Sequence, residues 1–149
     1  MGLAERIEAA FESVPPPPTD RVVTPTYDDE GVTAFFKGKH WRDVSIDELR
    51  THHVALSFFS PEAFHYYVPA FMLAELRDPI AAGQIGPSLL FHFSRPEESS
   101  WEPELRQRLA LLTAEQKAVI ADFVRHRGRV CGYTDPEIEE IVNVVKNGI

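Results

Sequence analysis

Cysteine is nearly absent. Cys131 is the only one in 149 residues, so no intrachain disulfide can form, and a reducing compartment fits. Long apolar runs are missing as well. The longest, Tyr66 to Ala74, falls far short of the roughly 20 residues that span a bilayer. The opening residues, Met1 to Arg6, lack the apolar core of a signal peptide, and Arg6 stands where a myristoylation signal needs Ser or Thr. The expectation is a cytoplasmic protein with no membrane partner.

Positive charge is also in short supply. Fifteen Lys and Arg face 23 Asp and Glu, giving a formal net charge of -8. An acidic surface repels phosphate backbones and attracts basic partners, which argues against nucleic acid. The chain has no His-Glu-x-x-His, no paired Cys-x-x-Cys and no Asp-x-Asp-x-Asp loop. It also lacks a Gly-x-Ser-x-Gly elbow, a phosphate loop and a dinucleotide fingerprint. No catalytic residue, metal site or cofactor is assigned, and the balance leans away from an enzyme.

Apolar and aromatic residues are plentiful: 44% hydrophobic and 11% aromatic, with ten Phe. At this length one domain with one core is the natural solution. Twelve Pro are present, four of them consecutive at Pro15 to Pro18.

Leu3, Ile7, Ala10, Phe11 and Val14 recur at helical spacing, which predicts an amphipathic helix over 3–13. The proline run ends it in polyproline II geometry. It reads as a stiff spacer, with docking into an aromatic groove on another protein as the alternative. Residues 21–27 read as extended or loop. Asp28, Asp29 and Glu30 suit the first turn of a short helix carrying Val32, Phe35 and Phe36 and stopping at Gly38.

Ser45 and Glu48 form a capping box for a helix through Thr51. A second short helical segment covers 53–59. Ser60-Pro61 is a firm helix start, with a serine cap and proline in the first turn. The helix it opens, 61–76, is apolar nearly all round and so belongs at the centre of the fold, with Pro69 inside it. Asp78-Pro79 and Gly83 to Pro87 read as a connection. Leu89, Leu90, Phe91 and Phe93 fit helix or strand by periodicity alone. Three further helices follow: one over about 103–112, one opened by the box Thr113/Gln116 and ending at Gly128, and a last one opened by Thr134/Glu137 with Ile138, Ile141, Val142 and Val145 facing inward. No hairpin signal is present. The fold class is all-α: one domain over 1–149, with an N-terminal helix (1–14), a Pro-rich spacer and extended segment (15–27) and a helical body (28–149).

Gly38-Lys39-His40-Trp41 forms a Gly-x-x-Trp element. Ser60 through Phe71 forms a Ser-Pro-Glu-Ala-Phe-x-Tyr-Tyr-x-Pro-Ala-Phe element, and Leu112-Thr113-Ala114-Glu115-Gln116 a Leu-Thr-x-x-Gln helix start. Across residues 28–127 the chain resembles an uncharacterised bacterial family of small proteins, a domain of unknown function. The resemblance implies a helical fold and a bacterial source and brings no activity with it.

The candidate ligand groups gather at the central helix. His65 stands among apolar neighbours, and the hydroxyls of Tyr66 and Tyr67, with Trp41 and His40 from the preceding element, could converge on a small molecule. The bland reading has these groups satisfy one another or the carbonyl freed by Pro69. Glu62/His65 and Asp122/His126 have metal-ligand spacing but supply only two ligands each. Arg125 to Arg129 and Lys37 to Arg42 are basic runs that a helix terminus and a buried Trp explain.

Two classes of function follow. The favoured one is a non-catalytic protein-binding domain whose acidic clusters (Asp28–Glu30, Glu97–Glu104 and Asp135–Glu140) engage a basic protein partner, an immunity or antitoxin-like protein being one concrete version. The alternative is a small-molecule or metal-binding enzyme or sensor with its pocket at the central helix.

Overall fold

Helix start signals dominate the chain, and a computed structural model, describing residues 1–24 and 29–149, turns them into an all-α fold. Among the described residues there are ten α-helices: α1 Leu3–Phe11, α2 Val32–Phe36, α3 Ile46–Thr51, α4 Ala55–Phe58, α5 Pro61–Arg77, α6 Pro79–Ala82, α7 Ile85–Phe93, α8 Glu102–Ala110, α9 Ala114–Arg127 and α10 Asp135–Asn147. Short 3₁₀ turns precede α3 (Trp41–Asp43) and α8 (Ser99–Trp101). Val23 and Phe59 form an isolated antiparallel bridge.

The three capping boxes form as the sequence predicts. In each, the Ser or Thr side chain accepts from the backbone N–H three residues on, and the Glu or Gln there reaches back to the cap N–H. Each satisfies donors that a helix start would leave bare.

Helix α5 is the hub. It buries twelve side chains, including Phe64, Tyr66, Tyr67 and Phe71, and packs against α1, α3, α6, α7 and α8. Fully burying one such side chain contributes about 1.5–3 kcal/mol, so this helix carries a large share of the core. Pro69 is buried within it and does not end it. Ser60 caps the helix at the Ala63 N–H, 3.1 Å away, and donates its hydroxyl to the Arg21 carbonyl at 2.5 Å. One serine thus ties the segment after the proline run to the hub. Helix α1 is packed into the body against α9 and α5, with Ile7 and Phe11 fully buried.

Two glycines are required by close approach. A Cβ on Gly128 would lie 2.5 Å from the Ile138 side chain, so this position lets α9 and α10 fold back against each other. A Cβ on Gly86 would lie 2.6 Å from the Glu75 carboxylate. That carboxylate is 3% exposed and meets the Arg127 guanidinium at 2.8 Å, joining α5, α7 and α9.

Two local expectations change, and one open alternative is decided. Gly86 and Pro87 lie in the first turn of α7, and α6 fills the start of the supposed connection. Pro tolerates a first turn, where its missing N–H has no intrahelical partner to lose. Asp29 precedes α2 and caps it from outside, accepting from the Gly31 and Thr33 N–H groups at 3.0 and 3.1 Å. Glu30 takes a positive φ of 54° just ahead of the helix. The ambiguous 89–93 run is helical. Asp28, and positions 25–27 of the expected extended segment, lie outside the described residues.

Candidate functional site

Phe36, Phe59, Tyr67 and Phe71 form a packed aromatic cluster with ring centroids 4.9–6.4 Å apart. The Tyr67 hydroxyl lies 2.7 Å from the Phe36 carbonyl and 2.8 Å from the Lys39 carbonyl, and shares its one proton between them. Burial pushes the phenol far above its ordinary value. Tyr66 is 4% exposed and meets the His40 ring edge-on at 5.9 Å, and burial raises its pKa. Trp41 is buried under the Arg42 guanidinium. His40 caps the Trp41 turn, its Nδ1 accepting from the Arg42 N–H at 3.0 Å.

The structure therefore brings His40, Trp41, Tyr66 and Tyr67 together. It leaves His65 apart, facing α1 and α9. There His65 Nε2 sits 2.7 Å from the Gln116 side-chain oxygen and packs edge-on to Phe11. Gln116 donates its amide to the Ala10 carbonyl at 2.9 Å. Its oxygen must then accept, so the His65 Nε2 carries the proton. Burial lowers the His65 pKa, and the bond to Gln116 partly offsets that shift.

The remaining sequence candidates are dispersed. Asp122 pairs with Arg6 at 2.8 Å. Arg125, Arg127 and Arg129 pair with Glu139, Glu75 and Asp135. Burial raises the Cys131 thiol pKa, and nearby Glu75 adds to the rise. Among the described residues no three His, Cys, Asp or Glu side chains converge as a metal site requires.

A cavity of about 1010 Å³ opens elsewhere, where the end of α7, the 94–98 segment, α8 and α10 meet. Ser94 terminates α7 by donating its hydroxyl to the Leu90 carbonyl at 2.6 Å. The following segment is closed on itself by Arg95, whose Nη2 meets Glu102 at 3.1 Å. Pro103 then opens α8 in its first turn. Phe58, Phe91, Trp101 and Tyr133 line the cavity. Phe91 is 67% exposed and Trp101 53% exposed.

At the inner wall Arg108, 4% exposed, donates to the Phe59 carbonyl at 2.9 Å and to Glu104 at 3.3 Å, and lies over the Phe64 ring. His92 beside it sits 3.3 Å from the Ser57 hydroxyl. Burial, with the Arg108 charge adding repulsion, drives the His92 imidazole down to about 3. Five carboxylate side chains complete the lining: Glu97, Glu98, Glu104, Glu137 and Glu140. Two of the acidic stretches legible in the sequence, Glu97–Glu104 and Asp135–Glu140, are therefore neighbours across one opening.

Sequence reasoning did not pick out Trp101, Phe91, Arg108 or His92. A signal existed for Trp101, a large aromatic set among acids in a polar connection. Phe91 and His92 sit in a run that periodicity could assign only to the core, and nothing local distinguishes Arg108 from its surface neighbours.

The arrangement is that of a small all-α domain with an aromatic, acid-lined groove between its C-terminal helices. The chain belongs to a family of unknown function, DUF6714, whose model matches residues 2–130. No curated protein and no solved structure matches it. No described helix is long and apolar enough to cross a membrane.

Proposed function

We propose that this chain is a non-catalytic protein-binding domain that engages a basic protein through its acidic surface. The observation supporting this reading is the convergence of Glu97, Glu98, Glu104, Glu137 and Glu140 on one cavity. Charge of one sign gathered around an opening speeds encounter with the opposite sign and makes the complex salt-sensitive. In its immunity or antitoxin-like version, the partner is toxic when produced alone and harmless when produced with this chain.

The test is capture from the source cell at low salt on the immobilised protein, compared with the Glu97→Lys/Glu98→Lys/Glu140→Lys variant. The reading requires a stoichiometric basic partner that is retained by the wild type, released by salt and lost by the variant. Equal retention by both proteins, or no stoichiometric partner at all, overturns it.

A further inference from the structure

Two aromatic side chains on the cavity wall, Phe91 and Trp101, are left more than half exposed by the fold. Exposed single apolar residues are ordinary, but a cluster rimmed by polar groups marks a contact surface. Phe58 and Tyr133 extend this cluster into the cavity. The surrounding charge is one-sided. Arg95 and Arg108, the arginines of the lining, are already engaged by Glu102 and Glu104. Glu97, Glu98 and Glu140 form no ion pair among the described residues. A segment seated here would meet an aromatic floor and uncompensated carboxylates.

Those carboxylates come from separate elements. Glu97 and Glu98 belong to the connection after α7, whereas Glu137 and Glu140 stand about one turn apart on α10. An occupant must therefore offer apolar side chains in one direction and basic ones on its flanks. An extended strand, with two alternating faces, is poorly matched to that demand. Among the described residues there is also no named strand whose edge it could join. A helix with an apolar stripe bordered by Lys and Arg meets it directly.

We infer that this groove seats a cationic amphipathic helix of the basic partner, a step that rests on the protein-binding reading above. Its apolar stripe packs on Phe91 and Trp101, and its flanking Lys and Arg side chains pair with Glu97, Glu98 and Glu140. Phe91 and Trp101 are the anchoring contacts, since large aromatic groups desolvated at the centre of an interface carry most of the binding energy.

The experiment titrates the full chain into a fluorescein-labelled Leu/Lys amphipathic peptide of about 16 residues, long enough for four helical turns. Fluorescence anisotropy is read at about 0.05 M and about 0.3 M salt. Controls are a scrambled peptide of the same composition and one with proline at its centre. The amphipathic peptide should bind at least about tenfold tighter than either control, and Trp101→Ala and Phe91→Ser should each weaken it by about tenfold. Both side chains are exposed, and thermal melts are run to check that the variants fold.

If the scrambled and proline peptides bind as well as the amphipathic one, or both aromatic variants bind normally, the helix inference is overturned. Loss of binding in Glu97→Lys/Glu98→Lys/Glu140→Lys would still uphold the charge-based reading in that case. Indifference of every peptide to that triple variant would sink the charge-based reading as well.

Discussion

The His65 imidazole donates through Nε2 to the Gln116 side-chain oxygen at 2.7 Å, across 51 residues of chain. The same oxygen accepts from the Thr113 N–H at 3.0 Å as half of a capping box, and the Gln116 amide donates to Ala10. One buried side chain therefore joins α1, α5 and the start of α9.

Removing it should be costly. Gln116→Ala leaves the His65 N–H, the Thr113 N–H and the Ala10 carbonyl without their partner. A loss of about 2–4 kcal/mol is expected in urea unfolding, because buried polar groups left unpaired keep their desolvation cost. Gln116→Glu retains the accepting oxygen and adds a charge, so the His65 pKa, followed by NMR titration, should rise above its wild-type value.

Stability should fall in mild acid. The folded state holds His92 neutral down to about pH 3, whereas the unfolded chain protonates it near its ordinary 6.5. Between those limits the unfolded chain binds the extra proton, so stability drops as pH falls through that window. One group contributes at most about 1.4 kcal/mol per pH unit, and above the window it contributes no slope. His65, lowered mainly by burial as well, acts in the same direction. Melting temperatures of the wild type and His92→Gln, compared at about pH 7.5 and about pH 5, should show the smaller drop in the variant. An equal drop in both would contradict the assignment.

Gly128→Ala should destabilise through a clash that can be relieved. The new methyl would sit 2.5 Å from Ile138, and overpacking of this kind costs about 1–3 kcal/mol. Ile138→Ala leaves a cavity of its own. If the contact is as described, the double variant loses less than the sum of the single ones, a coupling that a double-mutant cycle in urea measures directly.

The Glu75–Arg127 pair predicts an asymmetry. Arg127→Met strands a carboxylate that is 3% exposed and should cost about 3–5 kcal/mol, whereas Glu75→Leu/Arg127→Met together should cost much less. Gly86→Ala, which crowds the same carboxylate, should be destabilising in the wild type and milder in Glu75→Leu. Thermal unfolding of the wild type, Glu75→Leu and these four variants checks the order.

Much of the fold is written locally. Ser45, Thr113 and Thr134 start helices through side-chain hydrogen bonds that span three residues, so their positions could be read from the chain alone. Ser60-Pro61 fixed the start of α5 in the same way, and the all-round apolar pattern of that helix foretold its place at the centre. At Gly86 the local reading failed. Glycine and proline together look like a turn, and what the glycine does there depends on a carboxylate eleven positions away in sequence.

The groove marks the same division. That Glu97–Glu104 and Asp135–Glu140 are acidic, and that the chain carries an excess of negative charge, follows from the sequence by itself, because charge is a property of each residue. That these two stretches face each other across Phe91 and Trp101 was decided only by tertiary packing. The return of α10 against α9 at Gly128 and the burial of Arg108 beside α5 fix distances between residues that no periodicity or spacing along the chain encodes.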